Sequence, residues 1–174
     1  MLVDRLNFFL NDYQVRVLTD ADQEQIFNLQ KQHPNYHATF QKATLTAEMV
    51  LADLTTLPPG CQMQQKFYLG IFKEEKLVAI LDLVLGYPEN QAVWLGLLML
   101  DESELNHGLG TKIIQKVCQT LKREGYQSLG TAVAVDQVAA LNFFMQQEFV
   151  LVAEQTIENH DQKPVSIVIL VKEL

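Results

Sequence analysis

Apolar residues recur along this chain with two spacings, every second position and every third to fourth, and segments of the two kinds alternate as strands and helices do. "YQVRVLT" alternates like a strand. Thr19 followed by Asp22 resembles a capping box that opens a helix reaching about Gln32, with Ile26 and Leu29 on one face. "HPNYHATFQKA" reads as a polar loop, after which Thr46 caps a second helix carrying Met49, Val50 and Leu54, ended by "LPPG". "KFYLGIFK" and "KLVAILDLVLGY" are strands joined at "KEEK" as a hairpin. "YPENQ" turns the chain into "AVWLGLLML", a strand apolar enough for both faces to be covered, which places the centre of the sheet there.

Beyond "DESELNHGLG", Leu109, Ile113, Ile114, Val117 and Leu121 recur at helical spacing, and Gly125 stands in C-cap position. "SLGTAVAV" is a strand, "DQVAALNFFMQQ" a helix, and "FVLVAEQ" and "VSIVILVKE" are the last two strands. The order is β-α-α-β-β-β-α-β-α-β-β, with no repeat, low-complexity segment or long linker.

Composition narrows the function classes. With 174 residues, 48% hydrophobic and 20% charged, the chain has the make-up of a single domain over residues 1–174. No apolar run approaches the ~20 residues that cross a bilayer, and no secretory leader pattern opens the chain, so the expectation is a soluble, cytoplasmic protein without a membrane partner. Cys61 and Cys118 are too few for a disulfide framework and lie at no metal-ligand spacing; Cys118, beside Val117 and Leu121, reads as a small core residue. A net charge of -8 and a pI of about 4.9 argue against a nucleic-acid partner. An acidic surface suits cationic substrates such as amines.

The most distinctive stretch is "LNHGLGTKII", residues 105–114. The first N–H groups of a helix have no intrahelical partner and sit at the positive end of its dipole. Glycines at such a junction, here Gly108 and Gly110, let a phosphate approach those amides, although a glycine pair at a turn is also ordinary turn chemistry. A P-loop is a poor fit, because "HGLGTK" has Thr before Lys and no glycine at the required offset. A dinucleotide fingerprint fails too, with Lys112 and Ile113 where its third glycine would fall.

From Gln14 to Glu173 the element order resembles the GNAT superfamily of N-acetyltransferases, whose R/Q-x-x-G-x-G/A signature opens the helix after the fourth strand. "LNHGLG" occupies that position, behind "LLMLDESE" where the family has an apolar strand end and a short acidic stretch. "VAALNFFMQQEFV" is similar to the family's N-x-x-A-x-x-x-Y-x-x-x-G-F pattern, with Ala140 and Phe149 in place. The resemblance implies an α/β fold with a mixed, mostly antiparallel sheet of about seven strands, flanked by about four helices and splayed between the fourth and fifth strands. It implies acetyl-CoA as cosubstrate and an amine of a small molecule or peptide as acceptor. Leu105, Asn106, His107, Gly108, Leu109, Gly110 and Thr111 would form the pyrophosphate turn, while Leu98, Met99 and Leu100 would offer backbone groups to the pantetheine arm. Leu100, or another amide of that strand, would face the developing oxyanion. Phe144 falls at a further position beside the cosubstrate.

Three departures from the pattern matter. Leu105 stands where the signature has Arg or Gln, so one side-chain contact to phosphate is missing while the backbone amides remain. Glu148 replaces the glycine before Phe149, at little cost if that turn is exposed. Phe144 replaces the Tyr that commonly protonates the departing thiolate. Asp82, the one carboxylate within "VAILDLVL", is the candidate general base, because burial raises a carboxyl pKa; the ordinary alternative is a carboxylate hydrogen-bonded in the sheet, with ordered water as base. Glu89 is a weaker candidate. His33 and His37 read as solvated loop residues, Tyr87 and Pro88 as turn packing, and Trp94, on one side with Gly96 and Leu98 by alternation, as core. The first reading is an acetyl-CoA-dependent N-acetyltransferase acting on a primary amine; the alternative is a non-catalytic acyl-CoA-binding or regulatory module. Edge strands of such folds often pair, which leaves a homodimer open.

Overall fold

The computed structural model describes residues 1–40 and 44–174. Strands β1 (Gln14–Val17), β2 (Lys66–Lys73), β3 (Lys76–Leu85), β4 (Ala92–Leu100), β5 (Ser128–Ala134), β6 (Val150–Glu158) and β7 (Pro164–Glu173) form one sheet in the order β1-β2-β3-β4-β5-β7-β6. Every neighbouring pair is antiparallel except β4 and β5, which run parallel. "AVWLGLLML" is indeed the central strand. Helices α1 (Leu2–Phe9), α2 (Gln23–Gln30), α3 (Pro34–Phe40), α4 (Ala47–Ala52), α5 (Leu109–Glu124) and α6 (Val138–Gln146) accompany the sheet.

Two of those helices depart from the expected pattern. α1 buries Leu2 and Leu6, with Leu10 just beyond its end, on a four-residue spacing against the α5 side of the sheet. α3 occupies most of the segment read as a polar loop; Pro34 opens it at the first helical position, where a missing N–H costs nothing. Residues 41–43 of that segment lie outside the described residues. α2 is preceded by a short 3-10 turn over Asp20–Asp22, closed by the expected Thr19–Asp22 capping box, and ends at Gln30. Thr46 caps α4 as expected, its hydroxyl accepting from the Met49 amide at 3.3 Å. α4 stops at Ala52, so Leu54 packs from the turn beyond it.

The sheet is covered on both faces. On one, Ile113, Ile114, Val117 and Leu121 of α5 are almost completely buried together with Leu6 and strand residues such as Leu81, Leu83 and Leu95. Burying each such side chain is worth roughly 1.5–3 kcal/mol. α5 ends at Gly125, whose φ of 94° lets the Tyr126 amide reach back to the Leu121 carbonyl at 3.0 Å. On the other face, Ile26 and Leu29 of α2 and Val50 of α4 pack on Tyr68, Phe72, Ile80 and Met99. Cys118 is half-buried against the first face, and burial pushes its thiol up to about 11, far from nucleophilic use.

Candidate active site

The site begins where the sheet comes apart. Ala92 to Leu95 of β4 pair with Ser128 to Thr131 of β5, and the ladder stops there although both strands continue. At the last paired position the buried Thr131 hydroxyl donates to the Leu95 carbonyl at 2.8 Å. Against β3, Asp82 lies opposite Leu97 and Leu83 opposite Leu95, so Gly96 is the extra residue of a β-bulge. The bulge bends β4 away from β5 at the level where pairing ends. It also resets the alternation: Trp94, opposite Val84, shares a face with Leu97, whereas Leu98 lies opposite Leu81 on the other face. The simple alternation that grouped Trp94 with Leu98 fails for that reason.

The splay opens into a cavity of about 220 Å³ walled by residues 96–100 on one side and 131–134 on the other. Leu98, Met99, Leu100, Leu105 and Phe144 all line it. The distal half of β4 therefore has both faces packed, Leu98 and Leu100 toward α5 and Leu97 and Met99 toward α2, while its edge toward β5 is a cleft wall. Phe144 is buried, its ring 5.1 Å from those of Phe143 and Phe149. At the mouth, Asn106 and Gly108 adopt left-handed conformations, with φ of 59° and 84°, and Gly108 caps α5. The Lys112 amide donates to the Gly108 carbonyl at 3.0 Å, which leaves the earlier amides of the turn ahead of the helical ladder. Residues 105–108 are exposed, and a Cβ at Gly108 would meet nothing within 4 Å, so its glycine answers to φ and to open approach. Gly110 differs: a Cβ there would lie 3.3 Å from the Phe143 ring, so helix packing also requires it. This exposed, amide-rich turn at the end of an apolar cleft fits a phosphate-bearing cosubstrate with a long neutral arm.

A second cavity, of about 340 Å³, shares Tyr36, Gly96 and Leu97 with the first and continues across the face that carries α2 and α4. Asp82 lines it. Both of its carboxylate oxygens accept from Lys66 Nζ at 2.9 Å, and that lysine side chain is 2% exposed. A Cβ at Gly96 would stand 3.0 Å from Asp82 Oδ2, so only a glycine lets the carboxyl lie against the bulge. Burial raises the Asp82 pKa despite the opposing pull of Lys66. Asp53 and Tyr68 belong to the same pocket; the Gln30 amide donates to Asp53 Oδ2 at 2.9 Å and to the Tyr68 hydroxyl at 3.1 Å. Burial raises Asp53 as well, and drives Tyr36 and Tyr68 up so that both hydroxyls stay protonated. Sequence alone did not point to Lys66, Asp53, Tyr36 or Tyr68. The pairing of Lys66 and Asp82 follows from strand register, which places Lys66 opposite Val84 and Tyr68 opposite Asp82 on one face of the sheet.

The two loop histidines are not solvated. His33 Nε2 donates to the Leu100 carbonyl at 2.6 Å and borders the splay. His37 is buried, its Nε2 donating to the Gln30 carbonyl at 3.0 Å. Trp94 is partly exposed as a pocket wall, with Tyr87 edge-on at 6.1 Å, and Glu89 is an exposed turn residue outside both cavities.

Residues 23–149 match the model of the Acetyltransferase (GNAT) family, and the chain belongs to that family: it is an acetyltransferase whose cosubstrate is acetyl-CoA. An acetyltransferase structure from Thermus thermophilus is 24% identical over 93% of this chain and 97% of its own, with a TM-score of 0.72. The ribosomal-protein-S18-alanine N-acetyltransferase from Escherichia coli is 12% identical over 92% of this chain and 93% of its own, with a TM-score of 0.66. The yncA protein of Salmonella typhimurium, solved with its cofactor acetyl-CoA, also superposes with a TM-score of 0.66, at 13% identity over 94% of this chain and 95% of its own. No curated protein sequence matches the chain. Among the described residues, no helix is long and apolar enough to cross a membrane and no cluster of His, Cys, Asp or Glu could hold a metal ion.

Proposed function

We propose that residues 1–174 form one acetyltransferase domain that transfers the acetyl group of acetyl-CoA to a primary amine of a small molecule or peptide. The observation that carries this reading is the connection of two cavities at Gly96 and Leu97: an apolar cleft ending in an amide-rich turn, and a polar pocket holding a carboxyl of raised pKa. The amides from His107 to Thr111 take the pyrophosphate, and the free edge of β4 from Leu98 to Leu100 takes the pantetheine arm. His33 holds the Leu100 carbonyl, and the amides on the edge of β4 that has lost its β5 partner remain for the carbonyl oxygen of the thioester. Asp82 receives the proton that an alkylammonium must lose before its nitrogen attacks, directly or through one water. Lys66 keeps that carboxyl fixed beside the bulge. The free, half-buried thiols of Cys61 and Cys118 suit a reducing compartment, which supports the cytoplasm as the place of action.

The test is calorimetric titration with acetyl-CoA, followed by thiol release across polyamines, aminoglycosides, amino acids and peptides. Saturable binding with steady CoA release supports the reading. Binding without release from any amine would favour an acyl-CoA-binding module, for which the Phe144 and Leu105 replacements give a motive.

A further inference from the structure

The second cavity has a composition that selects among amines. Its walls come from Tyr36 of α3, the turn of Asp53, Thr56, Leu57 and Pro58 after α4, and three adjacent strands that contribute Tyr68, Asp82, Val84, Trp94 and Leu97. Among the described residues, the charged side chains gathered here are Asp53, Asp82 and Lys66, with Lys66 spent on both oxygens of Asp82. The protonated Tyr36 and Tyr68 contribute dipoles only. His37 bears on Asp53 electrostatically from α3, and its Nε2 is engaged by the Gln30 carbonyl. The cluster therefore brings two carboxyl groups together with one lysine ammonium. Asp53, bonded to the neutral Gln30 amide, is the carboxyl without a lysine in contact. The remaining surface is mostly aromatic or aliphatic, with Trp94, Tyr36, Leu57, Pro58, Val84 and Leu97 beside the hydroxyl of Thr56.

Resting on the reading of this site as the acceptor side of an acetyltransferase, we infer that the acceptor is a compact monoamine with an aromatic or aliphatic body and no carboxylate of its own. Its ammonium fills the place of the missing cation beside Asp53 and Asp82, and its apolar body lies against Trp94 and Leu57. An α-carboxylate carried on the same carbon as the amine would have to sit within a few ångströms of two carboxyls, where like charges repel strongly in a partly desolvated pocket. A polyamine would bring further ammonium groups against walls that offer no carboxyl beyond Asp53 and Asp82 among the described residues. A peptide N-terminus has no carboxylate nearby, but its chain would have to run past the walls formed by Asp53, Thr56, Leu57 and Pro58. The transfer itself balances simply: the neutral nitrogen forms a bond to the acetyl carbon, the C–S bond breaks, CoA leaves as thiolate, and the amine proton goes to the carboxyl or to solvent.

The experiment compares 2-phenylethylamine, phenylalanine, phenylalanine amide, a phenylalanyl tripeptide and spermidine as acceptors with the wild-type protein and acetyl-CoA, read by thiol release and by mass of the product. We expect kcat/KM for 2-phenylethylamine to exceed that for phenylalanine by about 100-fold or more, with the amide recovering most of the difference because it lacks the charge. Asp53→Asn, which preserves the shape and can still accept from Gln30, should raise KM for 2-phenylethylamine about 10-fold or more and narrow its advantage over phenylalanine, at unchanged acetyl-CoA affinity. Transfer to phenylalanine, the tripeptide or spermidine at rates matching or exceeding the monoamine overturns the inference and leaves acetyl transfer standing. So does a monoamine preference that Asp53→Asn does not alter. Absence of acetyl-CoA binding removes the acetyltransferase reading itself, and this inference with it.

Discussion

Asp82 and Asp101 sit in chemically opposite surroundings, and each makes a prediction. If Asp82 is the base, Asp82→Asn lowers turnover by about 10²-fold or more, the ordinary lower size of a general-base effect. Because burial raises this carboxyl, kcat/KM of the wild type should fall as pH drops through a value above the usual carboxylate range, and the variant should lack that limb. Lys66 is left unpaired in the variant, so folding is checked by circular dichroism first. Near-wild-type turnover in a folded variant would hand the proton to water. Asp101 follows β4 and is buried, yet hydrogen bonds from Ser103, Gln32 and Lys76 outweigh the cost of burial and hold it well below the usual carboxylate range. A carboxyl depressed in the folded state contributes stability above its unfolded pKa of about 3.9 and loses it as pH falls through the folded value. Asp101→Asn should therefore cost about 1.5–3 kcal/mol by urea unfolding at pH 7 and detectably less at pH 3, where the loss has begun but is completed only as pH falls through the folded value. An equal cost at both pH values would show that the neutral carboxyl serves as well. Asp82 was visible in the sequence because a lone carboxylate interrupts an apolar strand. Lys66 was not, because only the register of β2 against β3 brings the two together.

At the scale of elements, α5 and its preceding turn were the most legible part of the chain, since periodicity, two glycines and a C-cap all agree there. Gly110→Asp should abolish acetyl-CoA binding by placing a carboxylate against the phosphate turn. The structure adds a control, because any Cβ at this position crowds Phe143. Gly110→Ala makes the same contact without charge and should retain binding; if the alanine variant loses binding as completely as the aspartate, packing and not phosphate is what the glycine serves. The less legible elements fail for identifiable reasons. α1 has its leucines on a four-residue spacing, but Phe8 is 76% exposed and breaks the polar face that would have marked it as amphipathic. α3 is short and mostly polar, with His37 buried and Tyr36, Thr39 and Phe40 only partly so, too few apolar positions to signal a helix. After α6, Glu148 holds a φ of 67° where the family pattern has glycine, so its side chain tolerates a strained turn that exposure alone would not have revealed; its carboxylate reaches Lys172 at 2.7 Å.

Across the whole molecule, site and fold share one cause. A parallel pair at the centre of an otherwise antiparallel sheet loses its ladder beyond Leu95 and Thr131, and the bulge at Gly96 turns that loss into a cleft joined to a polar pocket. The splay was expected from the family resemblance, but periodicity could not place the bulge, because one added residue reverses the alternation only from that point on. Phe144 lies inside this arrangement, buried beside Phe143 and Phe149 and lining the splay from the α6 side. A general acid matters most for a strongly basic leaving group, whereas a thiol near the ~8.5 of free cysteine leaves as thiolate at little cost near neutral pH. The wild type should therefore transfer acetyl groups measurably without a hydroxyl at this position, and Phe144→Tyr should change kcat by less than ~10-fold, or about 1.4 kcal/mol of barrier. The kinetics must be read with saturating acetyl-CoA, so that a change in cleft packing shows in KM and not in turnover. Turnover that appears only in Phe144→Tyr, in a protein whose wild type binds acetyl-CoA but modifies no amine, would mean that the missing hydroxyl is decisive and that this cleft binds acyl-CoA without using it.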